Sequence, residues 1–245
     1  MKKSRHIAIV LAGGRGSRMN SSIPKQYLML LDKPVLYYSL KCMEESFIDA
    51  VILVCGASEE EFCRKELVER YSLKKVCSIV NGGAERYDSV FNGLSEIAHM
   101  GIADNESFVY IHDGARPCID PQLLESCRSC VREYGAGVPA VPVKDTIKVI
   151  DEKGFCAGTP KRSALMAVQT PQCFRFTDAL EAYEAMKRSQ QEGMDISDIT
   201  DDAMVLERFA GVKVKLCEGS YNNIKLTTPE DISTAGQILS AMGYA

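Results

Sequence analysis

Tryptophan is absent from this chain of 245 residues, and histidine occurs only three times. No apolar run approaches the roughly 20 residues of a membrane-crossing helix, so no membrane anchor is expected. A basic excess is also missing: 29 Lys and Arg stand against 33 Asp and Glu, a formal net charge of −4. Sequence-independent nucleic-acid binding draws on a basic surface, so no such partner is expected. Any phosphate must then be held by a local group of cations. Linkers, internal repeats and low-complexity tracts are lacking, which predicts a single domain over 1–245. Cys127 and Cys130 form a Cys-x-x-Cys with neither a second pair nor a nearby histidine, which argues against a zinc site.

Most of the ten cysteines sit in apolar runs, as Cys55 does in VILVCG, Cys77 in KVCSIV and Cys217 in VKVKLCEG. Buried free thiols in a reducing cytoplasm are the expectation. The opening MKKSRHIAIVLAGG loosely resembles a secretion signal, but its short apolar run stops in glycines. A first core strand is the better reading. Strand-length apolar runs at 6–11, 50–55, 75–80, 107–112 and 137–143 read as strands buried on both faces. Helical segments near 34–45, 59–71, 86–99 and 120–134 separate them, the last with Asp120 as N-cap and Pro121 in its first turn. This alternation predicts an α/β, Rossmann-like fold: a mostly parallel sheet flanked by helices, with ligands at the carboxyl ends of the strands. The rhythm breaks at 144–165, which reads as a projecting β-hairpin turning at DEKG and needing a partner surface. Beyond it come helices at 177–191 and 200–209, a strand at 212–217, a short strand at NIKL, and a final helix capped by Thr228 with Pro229 and Asp231.

The first strand runs into VLAGGRGSRMNSSIPKQ, where Gly13, Gly14 and Gly16 lie among Arg15, Arg18 and Lys25. Glycines let backbone N–H groups approach a polyphosphate, and the cations neutralise it. The loop is neither G-x-G-x-x-G nor a Walker P-loop. Arg15 reads as a solvated loop arginine. GGAERYDS and HDGARP fall at the same sheet edge. Asp113 suits a hard divalent cation bridging phosphates, while His112 reads as structural.

The LAGGxGxRM loop with PKQ resembles the nucleotidyltransferases that join a nucleoside monophosphate to a sugar phosphate. PKQYL, GGAERYDSVFNGL, HDGARP, VKDTIK, VQTPQCF, ITDDA and NIKLTTPED follow in order. Together they resemble the 2-C-methyl-D-erythritol 4-phosphate cytidylyltransferase family of non-mevalonate isoprenoid synthesis. The resemblance implies transfer of CMP from CTP with Mg²⁺ or another divalent cation. It implies that Arg18, Lys25, Arg162 and Lys225 are catalytic. CTP would meet Ala12, Gly13, Gly14, Gly16, Lys25, Gly82, Gly83, Ser89 and Gly114. Arg86 stays open between a phosphate contact and fixing its loop. The acceptor would meet Asp113, Arg116, Thr146, Arg162, Thr170, Thr200 and Lys225, with Asp113 the metal ligand. In the family an arm, here at about 141–162, hooks over a second subunit, which implies a homodimer. Two departures stand out: Gly114 replaces the usual Ala, implying a looser loop, and Met166 stands where Trp is frequent. Ribitol 5-phosphate cytidylyltransferase is the near alternative, although KRSAL and TDDA lean toward methylerythritol. GGAERYDSV disfavours a hexose 1-phosphate uridylyl or guanylyl transferase. A catalytically inactive nucleotide-binding regulator is the distant alternative.

Overall fold

A computed structural model describes residues 4–14 and 23–244. Strand β1 (His6–Ala12) leads through a 3-10 turn (Lys25–Tyr27) to the small pair β2 (Met29–Leu30) and β3 (Lys33–Pro34), then α1 (Val35–Glu44). The units β4 (Ala50–Cys55) with α2 (Glu60–Cys63), β5 (Val76–Asn81) with α3 (Arg86–Met100), and β6 (Phe108–Asp113) with α4 (Pro121–Tyr134) follow. A π-helical turn, Arg64–Glu69, extends α2. Next come β7 (Ala136–Pro142), β8 (Val149–Ile150), β9 (Cys156–Gly158), β10 (Met166–Val168) and β11 (Gln172–Arg175). The chain ends in α5 (Phe176–Gln191), α6 (Asp202–Ala210), β12 (Lys215–Glu218) and α7 (Glu230–Ala241).

The main sheet is eight-stranded in the order β10-β7-β11-β6-β1-β4-β5, with β12 on β7. Strands β5, β4, β1, β6, β7 and β12 run one way; β10 and β11 oppose them. The α/β, mostly parallel architecture expected from the alternation is therefore present. Along β1, Ala8, Val10 and Ala12 pack into the core under α1 and α4, while Ile7 and Ile9 pack into the core under α3 and α5. Both faces are covered, so every residue from Ile7 to Ala12 is apolar instead of alternating. A third cluster seats α7 against Val35, Tyr38 and Leu30. Helix α4 starts as its sequence dictates: the Asp120 carboxylate accepts from Leu123 N at 2.8 Å, with Pro121 next in line.

Several expectations are corrected. Strand β5 is the sheet edge and only half-buried: Val76 and Ile79 pack on one core cluster and Val80 on the other, while Cys77, at a shift in the register with β4, is exposed. Cys156 is exposed as well, although the other thiols are buried or partly so and all ten cysteines are free. Strands β10 and β11 were hidden because polar Gln169-Thr170-Pro171-Gln172 interrupts their apolar character. The hairpin pairs between β8 and β9, and the residues just after it, Met166–Val168, join β7 in the main sheet. NIKL forms no strand among the described residues. Single bonds hold it instead, from Leu226 N to Ala115 O at 2.8 Å and from Asn223 Nδ2 to Thr170 O at 2.8 Å. Thr228 does not cap α7; the Asp231 carboxylate reaches back to Thr227 N at 2.7 Å and Thr228 N at 2.9 Å.

Candidate active site

Parallel strands deliver their carboxyl ends to one edge, and the polar loops collect there. Ala12, Gly13 and Gly14 leave β1 beside the end of β4. Gly82 N donates to Cys55 O at 2.7 Å, which ties the loop after β5 to the same edge. A Cβ on Gly82 would lie 2.8 Å from Ser89 Oγ and 3.2 Å from Cys55 O, so only glycine fits this close approach. The Ser89 hydroxyl accepts from Gly83 N at 3.1 Å and faces Glu85 O at 3.3 Å, so it holds the loop in shape. Lys25 reaches the edge from the 3-10 turn, its Nζ donating to Leu226 O at 2.9 Å. That turn is anchored twice. Gln26 Nε2 donates to Ala12 O at 2.5 Å, and the Tyr27 hydroxyl donates to a Glu59 oxygen at 2.7 Å that also accepts from Gly56 N at 3.0 Å.

These elements enclose a cleft of about 250 Å³ lined by Ala12, Gly13, Gly14, Lys25, Gly83, Arg86 and Ser89. A second cleft, also about 250 Å³, is lined by Arg116, Gln169, Thr170, Thr200 and Asp201. Arg86, Asp113 and Lys225 line both and form the joint between them. Lys225 Nζ donates to Asp113 Oδ2 at 2.7 Å, and Arg86 Nε donates to Asp113 Oδ1 at 3.2 Å. Burial alone would push the Asp113 carboxyl up; Arg86 and Lys225 outweigh it and hold the carboxyl well below the usual range. Arg86 stays charged for the converse reason, because Asp202 and Asp113 outweigh its desolvation.

Backbone placement explains the rest. Asp113 N donates to Thr170 Oγ1 at 3.1 Å, and that hydroxyl lies 3.1 Å from His112 Nδ1. His112 Nε2 faces Arg116 O at 3.2 Å; a carbonyl only accepts, so Nε2 carries the proton and Nδ1 accepts from Thr170. Burial pushes His112 down to about 4, so it is neutral and structural. Arg116 Nη1 donates to Asn223 O at 2.8 Å, which fixes the segment carrying Lys225. The loop at Gly114 is not loose. A Cβ there would lie 2.6 Å from Leu36 Cδ1 and 2.9 Å from Leu11 O.

Gly16 and Arg18, with Arg15, lie outside the described residues. Thr146 and Arg162 sit exposed on the arm and line neither cleft of the single chain; Arg162 Nη1 donates to Lys144 O at 3.1 Å. The other sequence-derived residues lie at one edge. Sequence reasoning missed Gln26, Glu59, Gln172, Tyr183 and Asp202. Gln26 and Asp202 stand inside PKQYL and ITDDA, so a signal was present, while Tyr183 lies in an ordinary amphipathic helix that marks nothing.

Whether the site suits a divalent cation turns on its donors. Among the described residues no group of three His, Cys, Asp or Glu side chains could cage a metal. Asp113 is the carboxylate at the joint, and Mg²⁺ binds through one or two carboxylates together with substrate phosphates and water. The residues therefore fit a cation that arrives with a triphosphate.

Two clefts that share their cations suit a reaction between two phosphorylated molecules, and at the carboxyl edge of such a sheet they mark a nucleotidyltransferase. The model of the IspD family, 2-C-methyl-D-erythritol 4-phosphate cytidylyltransferase, matches residues 6–241, and the chain belongs to that family. The protein of that name from Lachnospira eligens is 47% identical over 233 residues, 95% of this chain and 98% of its own. The one from Clostridium botulinum strain 657 is 43% identical over 240 residues, 98% of this chain and 99% of its own. The 4-diphosphocytidyl-2C-methyl-D-erythritol synthase structure from Anaerococcus prevotii superposes with a TM-score of 0.78 at 31% identity, covering 97% of this chain and 96% of that one. The Francisella tularensis 2-C-methyl-D-erythritol 4-phosphate cytidylyltransferase gives 0.78 at 27% identity, covering 96% and 100%.

Proposed function

We propose that this chain transfers CMP from CTP to 2-C-methyl-D-erythritol 4-phosphate, giving 4-diphosphocytidyl-2-C-methyl-D-erythritol and pyrophosphate. The observation that carries the reading is the joint, where Arg86, Asp113 and Lys225 face both clefts. An acceptor phosphate oxygen attacks the α-phosphorus, the bond to the bridging oxygen breaks, and pyrophosphate leaves with its electron pair. The protein supplies no covalent nucleophile. Its work is to hold two mutually repelling anions in line and to stabilise charge at the five-coordinate phosphorus.

In this reading the glycine edge and Lys25 take the triphosphate, with Arg18 from the same loop. Arg116, Thr170 and Thr200 take the acceptor, and Lys225 serves the phosphate between them. A bound Mg²⁺, held by Asp113 and nucleotide oxygens, would supply further charge neutralisation. Thr146 and Arg162 would complete the acceptor side from the arm of a second subunit, since neither reaches the clefts of its own chain. The arm, at about 141–162, belongs to the single nucleotidyltransferase domain and exposes Ile147, Val149, Ile150 and Phe155, a surface suited to a homodimer. Ten free thiols suit a reducing cytoplasm; among the described residues no helix is long and apolar enough to cross a membrane.

The test is pyrophosphate release from purified protein and Mg²⁺ with each nucleoside triphosphate and each acceptor. Release with CTP and methylerythritol phosphate is expected. Release only with CTP and ribitol 5-phosphate would reassign the acceptor, release with UTP would reassign the base, and binding of CTP without release would favour the inactive regulator.

A further inference from the structure

Arg86 stands between two carboxylates and treats them unequally. Its Nη1 and Nη2 donate to the two oxygens of Asp202 at 2.7 and 2.8 Å, whereas Asp113 receives only Nε, at 3.2 Å. Asp202 has no solvent exposure and sits at the start of α6, where the Tyr183 hydroxyl of α5 donates to its Oδ1 at 2.5 Å. The start of α6 is itself pinned. Asp201 accepts from Met204 N at 3.0 Å and from Gln172 Nε2 at 3.0 Å, and Gln172 Oε1 accepts from Ala203 N at 2.8 Å. Two carboxylates therefore hold one guanidinium, the one on α6 braced by α5 and β11, and the Nε of Arg86 faces the joint.

A guanidinium is a rigid fork, and pairing through two nitrogens fixes its plane. We infer that Asp202, seated by Tyr183, is a positioning residue for the transfer, holding Arg86 edge-on so that Asp113 keeps its second oxygen for Lys225. The inference rests on the reaction proposed above. Without the Asp202 charge, the fork of Arg86 is free to swing onto Asp113 and pair with both of its oxygens. Lys225 then loses its anchor, and Asp113 is closed to anything that approaches with the triphosphate. Stability alone does not explain the arrangement, since a buried ion pair is often no more stabilising than apolar residues of the same size.

The experiment measures kcat and the KM for CTP of Asp202→Asn, Tyr183→Phe and Arg86→Met, and of each of the first two combined with Arg86→Met. Asp202→Asn should lower kcat by about tenfold or more and Tyr183→Phe by roughly threefold to tenfold, with KM moving far less. In the Arg86→Met background neither change should lower kcat further, because residues that act through one another are not additive. Single variants within about twofold of wild type, or losses that multiply with Arg86→Met, would overturn the inference. Should Asp202→Asn fail to fold, Tyr183→Phe and its double variant decide alone, since that change removes one hydroxyl and leaves the ion pair. An inactive wild type would overturn the reaction and this inference together; an active wild type with unaffected variants would overturn this inference alone.

Discussion

His112 shows how one buried side chain couples the joint to pH. It is fully buried and neutral, and burial depresses it from 6.5 to about 4. A group depressed on folding stabilises the fold above its unfolded value and loses that contribution as pH falls through its folded one. Asp113, also depressed, acts in the same direction at lower pH. In metal-free buffer, unfolding free energy should fall between pH 6.5 and about 4, with His112 contributing on the order of 3 kcal/mol of the drop. Urea titrations across that range check it, and His112→Gln should flatten the slope; an unchanged slope would assign the effect elsewhere. Lys225 makes a separate case. It also helps keep the buried Asp113 ionised, so Lys225→Ala should lower the melting temperature by a few degrees while kcat falls about 10²- to 10³-fold, a loss of turnover far larger than the loss of stability explains. Turnover near wild type would remove Lys225 from the chemistry.

The arm is the element whose form and surroundings disagree most. Ile150 is 65% and Phe155 70% exposed on a hairpin of very short strands, and such a ribbon has little stability without a surface to lie on. Ile150→Asp combined with Phe155→Asp should shift the protein toward monomer in sedimentation at micromolar concentration. Activity should fall with it, because Thr146 and Arg162 travel on the arm. An active monomer would end the shared-site reading. The same element marks a limit of legibility. The hairpin at 144–165 is readable from its turn, but the pairing of the next residues, Met166–Val168, with β7 is not, since three residues before a polar stretch carry no period. Strands β1, β4 and β6 and helices α3 and α4 were legible because burial on both faces and N-terminal capping leave local marks. Asp202 was visible in ITDDA, yet its partner Arg86 lies 116 positions away, and no local pattern pairs them. Ser89, expected to meet CTP, lines the first cleft, and its hydroxyl accepts from Gly83 N, a loop-holding role that GGAERYDS does not announce.

At the scale of the molecule, a net charge of −4 surrounds a joint where Arg86, Arg116 and Lys225 gather around Asp113. Cation binding should therefore depend on the nucleotide. Mn²⁺ titrated into the protein alone should bind weakly, with CTP tightening it severalfold or more, and chelation should abolish turnover while the melting curve stays in place. Tight Mn²⁺ binding without nucleotide, or a chelator that unfolds the protein, would contradict this.

Asp113 has a further consequence as the resident counter-ion of Lys225. An inorganic phosphate that reaches the joint merely exchanges one anionic partner of the ammonium for another, and it must also overcome repulsion from the carboxylate it displaces. On the proposed reading a triphosphate meets the glycine edge and Lys25 at the same moment, and so has other attractions to set against that loss. Inorganic phosphate should thus compete poorly with CTP at the joint, before any base or sugar has been read.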